Sequence, residues 1–492
     1  MELDHQAGPI GLASLPDELI SLILRNFCLH CRQGTRDTPH AYFPATGQKR
    51  EERSWYAVDV SALHAMCLVS RRFLPLAQEI LYHEFAWAYG DSSASLMDDW
   101  SHRLTAFLRT VARNKDLAAL VKRVYICLTH FFIIPETEAD SVLEDAAQAR
   151  GIRLANFLGS FGDVKDPDLP LREPALLAML LACLPRLKTL SVLAGVRLTA
   201  IPAASLRAAG ISSLPLETLD IACCDIHTGS HNGILDLASF TIRSLFLNMC
   251  DDDMLSELSK YAFPNLRNLC IAQSSVSHSG LEPFLSRCVG LEIFSCESDN
   301  EFLSSDIVAY LFRNKNTLHT LHLKYDVDSQ TQDGSARSVA DLESSLNTFP
   351  ALRNLFLTTT LLYQMMDGSA ENDGILTRLL PPSLASLQLA VVDDNPWLNL
   401  RLEIGVMADL ARAVSQGHFP HLRCVSCIPT TKGRLDMHRL EAMFACAGVK
   451  FGYDGWQFHD GVAGERVYSL GPSPAYSTAI TVGSDDESLQ SW

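Results

Sequence analysis

Leu187-Lys188-Thr189-Leu190-Ser191-Val192 returns as Leu216-Glu217-Thr218-Leu219-Asp220-Ile221, Ile242-Arg243-Ser244-Leu245-Phe246-Leu247 and Leu266-Arg267-Asn268-Leu269-Cys270-Ile271. The hexamer continues as Leu291-Glu292-Ile293-Phe294-Ser295-Cys296, Leu318-His319-Thr320-Leu321-His322-Leu323, Leu352-Arg353-Asn354-Leu355-Phe356-Leu357 and Leu384-Ala385-Ser386-Leu387-Gln388-Leu389. A degenerate copy, Leu422-Arg423-Cys424-Val425-Ser426-Cys427, closes the series. Apolar residues at positions one, four and six of each copy mark a short strand, because side chains on a strand alternate between faces. The copies recur every 24 to 38 residues, with insertions in the later ones. Between them, the segments Ala203 to Ala209, Met254 to Tyr261, Leu281 to Arg287, Asp306 to Arg313, Ala340 to Thr348 and Met407 to Gln416 have helical spacing. The expectation is a stacked array of strand-helix units, each stable only against its neighbours; an ordinary α/β sheet with crossover helices is the alternative.

Upstream, Ser14-Leu15-Pro16-Asp17-Glu18-Leu19-Ile20-Ser21-Leu22-Ile23-Leu24-Arg25-Asn26-Phe27 opens with a helix-start pattern of Ser, early Pro and two acids. Its apolar residues leave more greasy surface than so short a helix can bury alone. A second amphipathic segment runs from Val60 to Phe73, and Pro75 starts a third, Leu76 to Phe85. The stretch from Leu29 to Asp59 reads as a long loop inserted between the first two helices. Helical periodicity follows, including Leu104, Phe107, Leu108 and Val111, then a strand-like run from Val121 to Ile126 and a polar region from Thr137 to Pro174 expected to hold a helix and a loop.

Composition narrows the function. The chain has 492 residues, 47% hydrophobic and 20% charged, which suits a folded chain with a large core. A formal net charge of -17, with only short basic runs, argues against nucleic acid, whose phosphates are held by clustered Lys and Arg. No apolar h-region stands at the N-terminus, and the greasiest stretch, Ala175 to Leu184, is too short to span a bilayer. A cytoplasmic or nuclear home is therefore expected, where the 14 cysteines stay reduced. Cys28-Leu29-His30-Cys31 and Cys424-Val425-Ser426-Cys427 have the two-residue gap of zinc or redox pairs. Neither is assigned a metal, and Cys427 fills a leucine slot of its strand. No Gly-x-Ser-x-Gly elbow, phosphate-binding Gly-rich loop or His-Glu-x-x-His helix occurs. The runs Asp251-Asp252-Asp253 and Asp393-Asp394 lack calcium-loop spacing and read as turns that begin helices. His319 and His322 fall on opposite strand faces. A non-enzymatic chain without cofactor or catalytic residue is expected, although a hydrolase or metal enzyme hidden between Thr137 and Pro174 stays open.

The first three helices, through Leu15-Pro16-Asp17-Glu18-Leu19-Ile20, Ile23-Leu24 and Cys67-Leu68-Val69-Ser70-Arg71-Arg72-Phe73, resemble the F-box. The hexamer array resembles the leucine-rich repeats often joined to it, and the two cover most of the chain. The resemblance implies an α/β chain: a three-helix F-box module followed by a leucine-rich-repeat solenoid. It implies an adaptor of an SCF-type ubiquitin ligase that docks on the Skp-type linker protein of a cullin-RING ligase and holds an unknown protein substrate. Carried over, Leu15, Pro16, Ile20, Leu24, Val69, Ser70 and Phe73 supply the linker-docking surface or its immediate support. Phe73 stands where the family often has Trp, and the Leu29 to Asp59 insertion departs from the family pattern. Strand alternation puts Asp220, Phe246, Asn268, His322, Asn354, Phe356 and Gln388 on the concave face, which the resemblance implies is the target surface. Phe246 and Phe356 there are either exposed anchors or packed against side chains of adjoining strands. The domains follow as an F-box over residues 12–88, a helical linker with a first irregular repeat over 89–175, the solenoid over 176–450, a cap over 451–470 and a disordered acidic tail over 471–492. The competing reading is a repeat scaffold or receptor whose N-terminal helices only cap the array.

Overall fold

The computed structural model describes residues 12–32, 55–86, 100–127, 134–161, 172–193, 201–222, 233–298, 304–325, 346–358, 374–391, 402–429 and 437–452. Most of the expected insertion, the Asp393-Asp394 pair and the 471–492 tail lie outside these residues.

Among the described residues, twelve parallel strands form one open sheet whose spatial order is the chain order. The nine hexamers become β3 (Thr189–Leu193), β4 (Thr218–Ala222), β5 (Ser244–Asn248), β6 (Asn268–Ser274), β7 (Ile293–Ser298), β8 (Thr320–Tyr325), β9 (Asn354–Thr358), β10 (Ser386–Val391) and β11 (Cys424–Pro429). Neighbours pair in register, Leu219 beside Leu245 and Leu387 beside Val425, so every copy of the hexamer presents the same face. An open parallel sheet in strict sequential order is compatible with a solenoid, in which each unit stacks on the one before.

The pairing begins at each hexamer's second residue. The Lys188 carbonyl accepts from the amides of Glu217 and Thr218, and the Glu217 carbonyl accepts from those of Arg243 and Ser244. The relay continues through Arg267, Glu292, His319, Arg353, Ala385 and Arg423 to Lys450. Positions one, four and six, for example Leu266, Leu269 and Ile271, point into a continuous core. Helices cover that core on its far side, including Asp252–Leu258, His278–Leu285 and Ser304–Leu311. Asp251 caps the first of these, its carboxylate accepting from the Met254 amide at 2.9 Å, and Asp252 accepts from the Ser277 amide at 2.7 Å. The acidic run is thus a helix start locked to the next repeat.

The array is longer than its leucine pattern. β1 (Glu84–Phe85) pairs with β2 (Arg123–Cys127), and β2 with β3. At the other end β12 (Lys450–Gly452) pairs with β11. Between β2 and β3 the polar stretch holds two helices, Glu136–Arg150 and Leu154–Gly159, followed by Arg172–Cys183, and their apolar faces belong to the main core. The described parts of the 89–175 segment thus supply β2 and apolar side chains of the main core.

The N-terminal helices α1 (Asp17–Leu24), α2 (Leu29–Arg32), α3 (Trp55–Val69) and α4 (Phe73–Leu81) form a second, separate core of Ile20, Leu24, Cys28, Leu63, Phe73, Ala77 and Ile80. Helix α2 falls inside the stretch expected to be a loop. Pro16, not Ser14, precedes α1, and its carbonyl accepts from the amides of Leu19 and Ile20. Proline's fixed φ suits that position. Among the described residues no helix is long and apolar enough to cross a membrane.

Candidate functional site

Two surfaces stand out. The first is the outer side of the N-terminal helices. Of the thirteen exposed large apolar side chains among the described residues, eight lie between Leu12 and Leu74. Helix α1 turns Ile20 and Leu24 inward and leaves Leu19, Leu22 and Ile23 outside. The end of α3 and first turn of α4 expose Leu68 at 76%, Val69 at 64% and Leu74. Arg72 joins the two groups: its guanidinium bonds the Asp17 carboxylate at 2.7 Å and donates to the Leu15 carbonyl at 2.5 Å. That clasp sets the α3–α4 turn beside the start of α1.

The residues carried over from the F-box pattern divide accordingly. Val69 and Pro16 are exposed, and Leu15 is half-buried against the module's core. Ile20, Leu24 and Phe73 are buried inside that core, so they support the surface from beneath and are not part of it. Ser70 is a structural cap, its hydroxyl accepting from the Phe73 amide at 3.2 Å. Leu19, Leu22, Ile23, Leu68 and Leu74 were missed, although Leu19, Leu22 and Ile23 follow the same three- and four-residue steps as the inward side chains. A helix that is apolar on two sides does not announce which side meets its own core.

The second surface is the face of the sheet opposite the helices. Fifth positions align there as a continuous row: Ser191, Asp220, Phe246, Cys270, Ser295, His322, Phe356, Gln388 and Ser426. Phe246 and Phe356 are both buried, so of the two arrangements open to them they take the packed one. Phe246 packs with Cys270 and Ala272, and Phe356 meets the His322 ring edge-on at a centroid distance of 3.9 Å. His322 Nδ1 also lies 3.1 Å from the Ser295 hydroxyl. Asn268 and Asn354, at third positions, donate sideways to the hydroxyls of Ser244 and Thr320 at 3.1 Å each. These side chains brace one strand against the next.

Some polar groups on this face are left over. Gln388 is 1% exposed, yet among the described residues neither its amide nitrogen nor its amide oxygen meets a partner, and the Thr358 hydroxyl and the Asn248 side-chain oxygen are in the same condition. Buried polar groups without a hydrogen bond are costly in a folded chain. Asp220 is half-buried, and desolvation pushes its carboxyl up to about 7 against the opposing pull of the Ser191 hydroxyl and the Arg123 guanidinium. Its carboxyl thus titrates near neutrality. Cys424 and Cys427 point to opposite faces, Cys427 into the main core, so this pair cannot close on one ligand.

No family model matches the chain, and no curated protein resembles it significantly in sequence.

Proposed function

We propose that the chain is a substrate-recognition adaptor of an SCF-type ubiquitin ligase. Its N-terminal helices are an F-box module that docks on a Skp-type linker protein, and the open face of the leucine-rich-repeat solenoid holds the protein to be modified. The reading rests on one observation: apolar side chains crowd the outside of α1, α3 and α4 while that module already owns a closed core. Exposed apolar clusters on a small helical module mark a surface that a partner helix covers. The chain itself makes no bond. Its contribution is to raise the effective concentration of target lysines near the charged conjugating enzyme, which sets it in the cytosol or nucleus.

The rival reading, a repeat scaffold capped by its N-terminal helices, draws on β1, which closes the edge of the sheet directly after α4. The two separate on affinity capture of the full chain from cells. An adaptor brings down the linker and a cullin together, and a Leu19→Asp, Val69→Asp double variant loses both. A scaffold brings down neither, and the double variant behaves as wild type.

A further inference from the structure

Cys28, His30 and Cys31 lie on or beside α2, and His83 lies between α4 and β1, 52 residues beyond Cys31. The fold brings their four side chains to one point, with one ligand atom from each lying within 4.8 Å of all the others. The Cys31 sulfur is 3.3 Å from His83 Nδ1 and 3.8 Å from His30 Nδ1, and the Cys28 sulfur is 3.9 Å from His83 Nδ1. The two imidazole rings meet edge-on at 5.1 Å. Zinc held at about 2.3 Å from sulfur and about 2.0 Å from nitrogen in a tetrahedron separates its sulfur and nitrogen ligands by about 3.6 Å. The three sulfur–nitrogen distances, 3.3, 3.8 and 3.9 Å, bracket that value.

We propose that Cys28, His30, Cys31 and His83 form a closed structural zinc site that fastens the N-terminal helical module to the first strand of the array. Two cysteines and two histidines fill all four positions, so the site is structural rather than catalytic. The frame around it is fixed. The His30 amide donates to the Glu84 carboxylate at 2.8 Å, and the His83 carbonyl accepts from the amides of Lys122 and Arg123 at 2.7 and 3.1 Å. Helix α2, β1 and β2 thus meet at the ligands. Outside the site the module and the array keep separate cores, so a metal bond here sets the angle at which one carries the other. Loading displaces the thiol protons to solvent, because zinc binds thiolate, so uptake releases acid. The proposal is independent of the adaptor reading.

The full chain, expressed with zinc and dialysed, should hold about one zinc per molecule by elemental analysis. Cobalt in its place should show the intense visible bands of a tetrahedral ion with thiolate ligands. Cys28→Ser and His83→Ala should each lose most of the metal. A wild-type chain that takes up no zinc after reduction and reloading overturns the site. So does a Cys28→Ser, Cys31→Ser double variant that keeps its zinc. Where a variant fails to fold, chelation of the wild type decides: amide exchange in α2 and β1 that rises on zinc removal supports the site, and unchanged exchange contradicts it.

Discussion

Asn314 joins two repeats from inside the core, and replacing it with alanine should be among the costlier single changes in the array. It is 1% exposed in the 3-10 turn Phe312–Asn314, and all its side-chain hydrogen bonds reach into the preceding repeat. Its carbonyl oxygen accepts from the amides of Gly290 and Leu291 at 2.7 and 3.0 Å, and its amide donates to the Cys288 carbonyl at 3.0 Å. Asn314→Ala strands three main-chain groups. Those of Leu291 and Cys288 are buried, and a buried group without a partner costs about 1–3 kcal/mol. The two together cost about 2–6 kcal/mol, and the more accessible Gly290 amide adds the least. Asn265 provides the control: it too reaches the previous repeat, donating to the Phe240 carbonyl at 2.7 Å, but from an exposed position where water can take over. Asn265→Ala should cost less than about 1 kcal/mol. Urea denaturation compares the variants, and amide exchange at Gly290 and Leu291 locates the damage, as an array of stacked units can open locally. Equal losses for the two asparagines, or slow exchange at Leu291 in Asn314→Ala, would refute this account of how the repeats are joined.

Asp220 gives a pH dependence of unusual sign. Its carboxyl is raised in the folded chain to about 7, so the folded state holds the proton more tightly than the unfolded one. That contribution is whole below the unfolded value near 4 and is lost as pH climbs through about 7, amounting to at most about 4 kcal/mol. Asp220→Asn should therefore raise the denaturation midpoint at pH 8 and change it little at pH 4; a destabilised variant at pH 8 contradicts the assignment. Gly233 sits where a Cβ would come within 2.3 Å of the Ala203 backbone nitrogen and 2.6 Å of the Ile201 carbonyl oxygen. Backbone cannot swing aside as a side chain can, so Gly233→Ala should cost about 1–3 kcal/mol or more in thermal unfolding. Gly159→Ala, with open space around it, should be close to neutral.

What the sequence made legible follows from repetition. Nine hexamers mark nine strands because an apolar side chain at position four, leucine in seven of the nine, enters the core in every repeat, and stacking like units fixes register as well as direction. β1 and β12 carry no such mark. Glu84 and Phe85 become a strand only because Arg123 and Val124 offer a paired edge, and that pairing lies in the neighbour, not in the residues themselves. Alternation correctly put Phe246, Phe356 and Gln388 off the core side, yet it is silent on how the rungs cover one another. The Cys28 and Cys31 pair looked weak because its spacing shows one element of a site whose fourth member, His83, arrives through tertiary folding. The inward and outward sides of α1 were likewise confounded, since both are apolar.

The central claim is that the outer apolar side of α1, α3 and α4 is kept for a partner. Calorimetric titration of the purified full chain with a Skp-type linker tests it most directly. Binding at about 1 μM or tighter is expected, weakened at least about tenfold by Leu19→Asp or Val69→Asp, because each change puts a charge where an apolar contact would close. Absence of binding by the folded wild-type chain, or equal affinity in all three proteins, would contradict the claim.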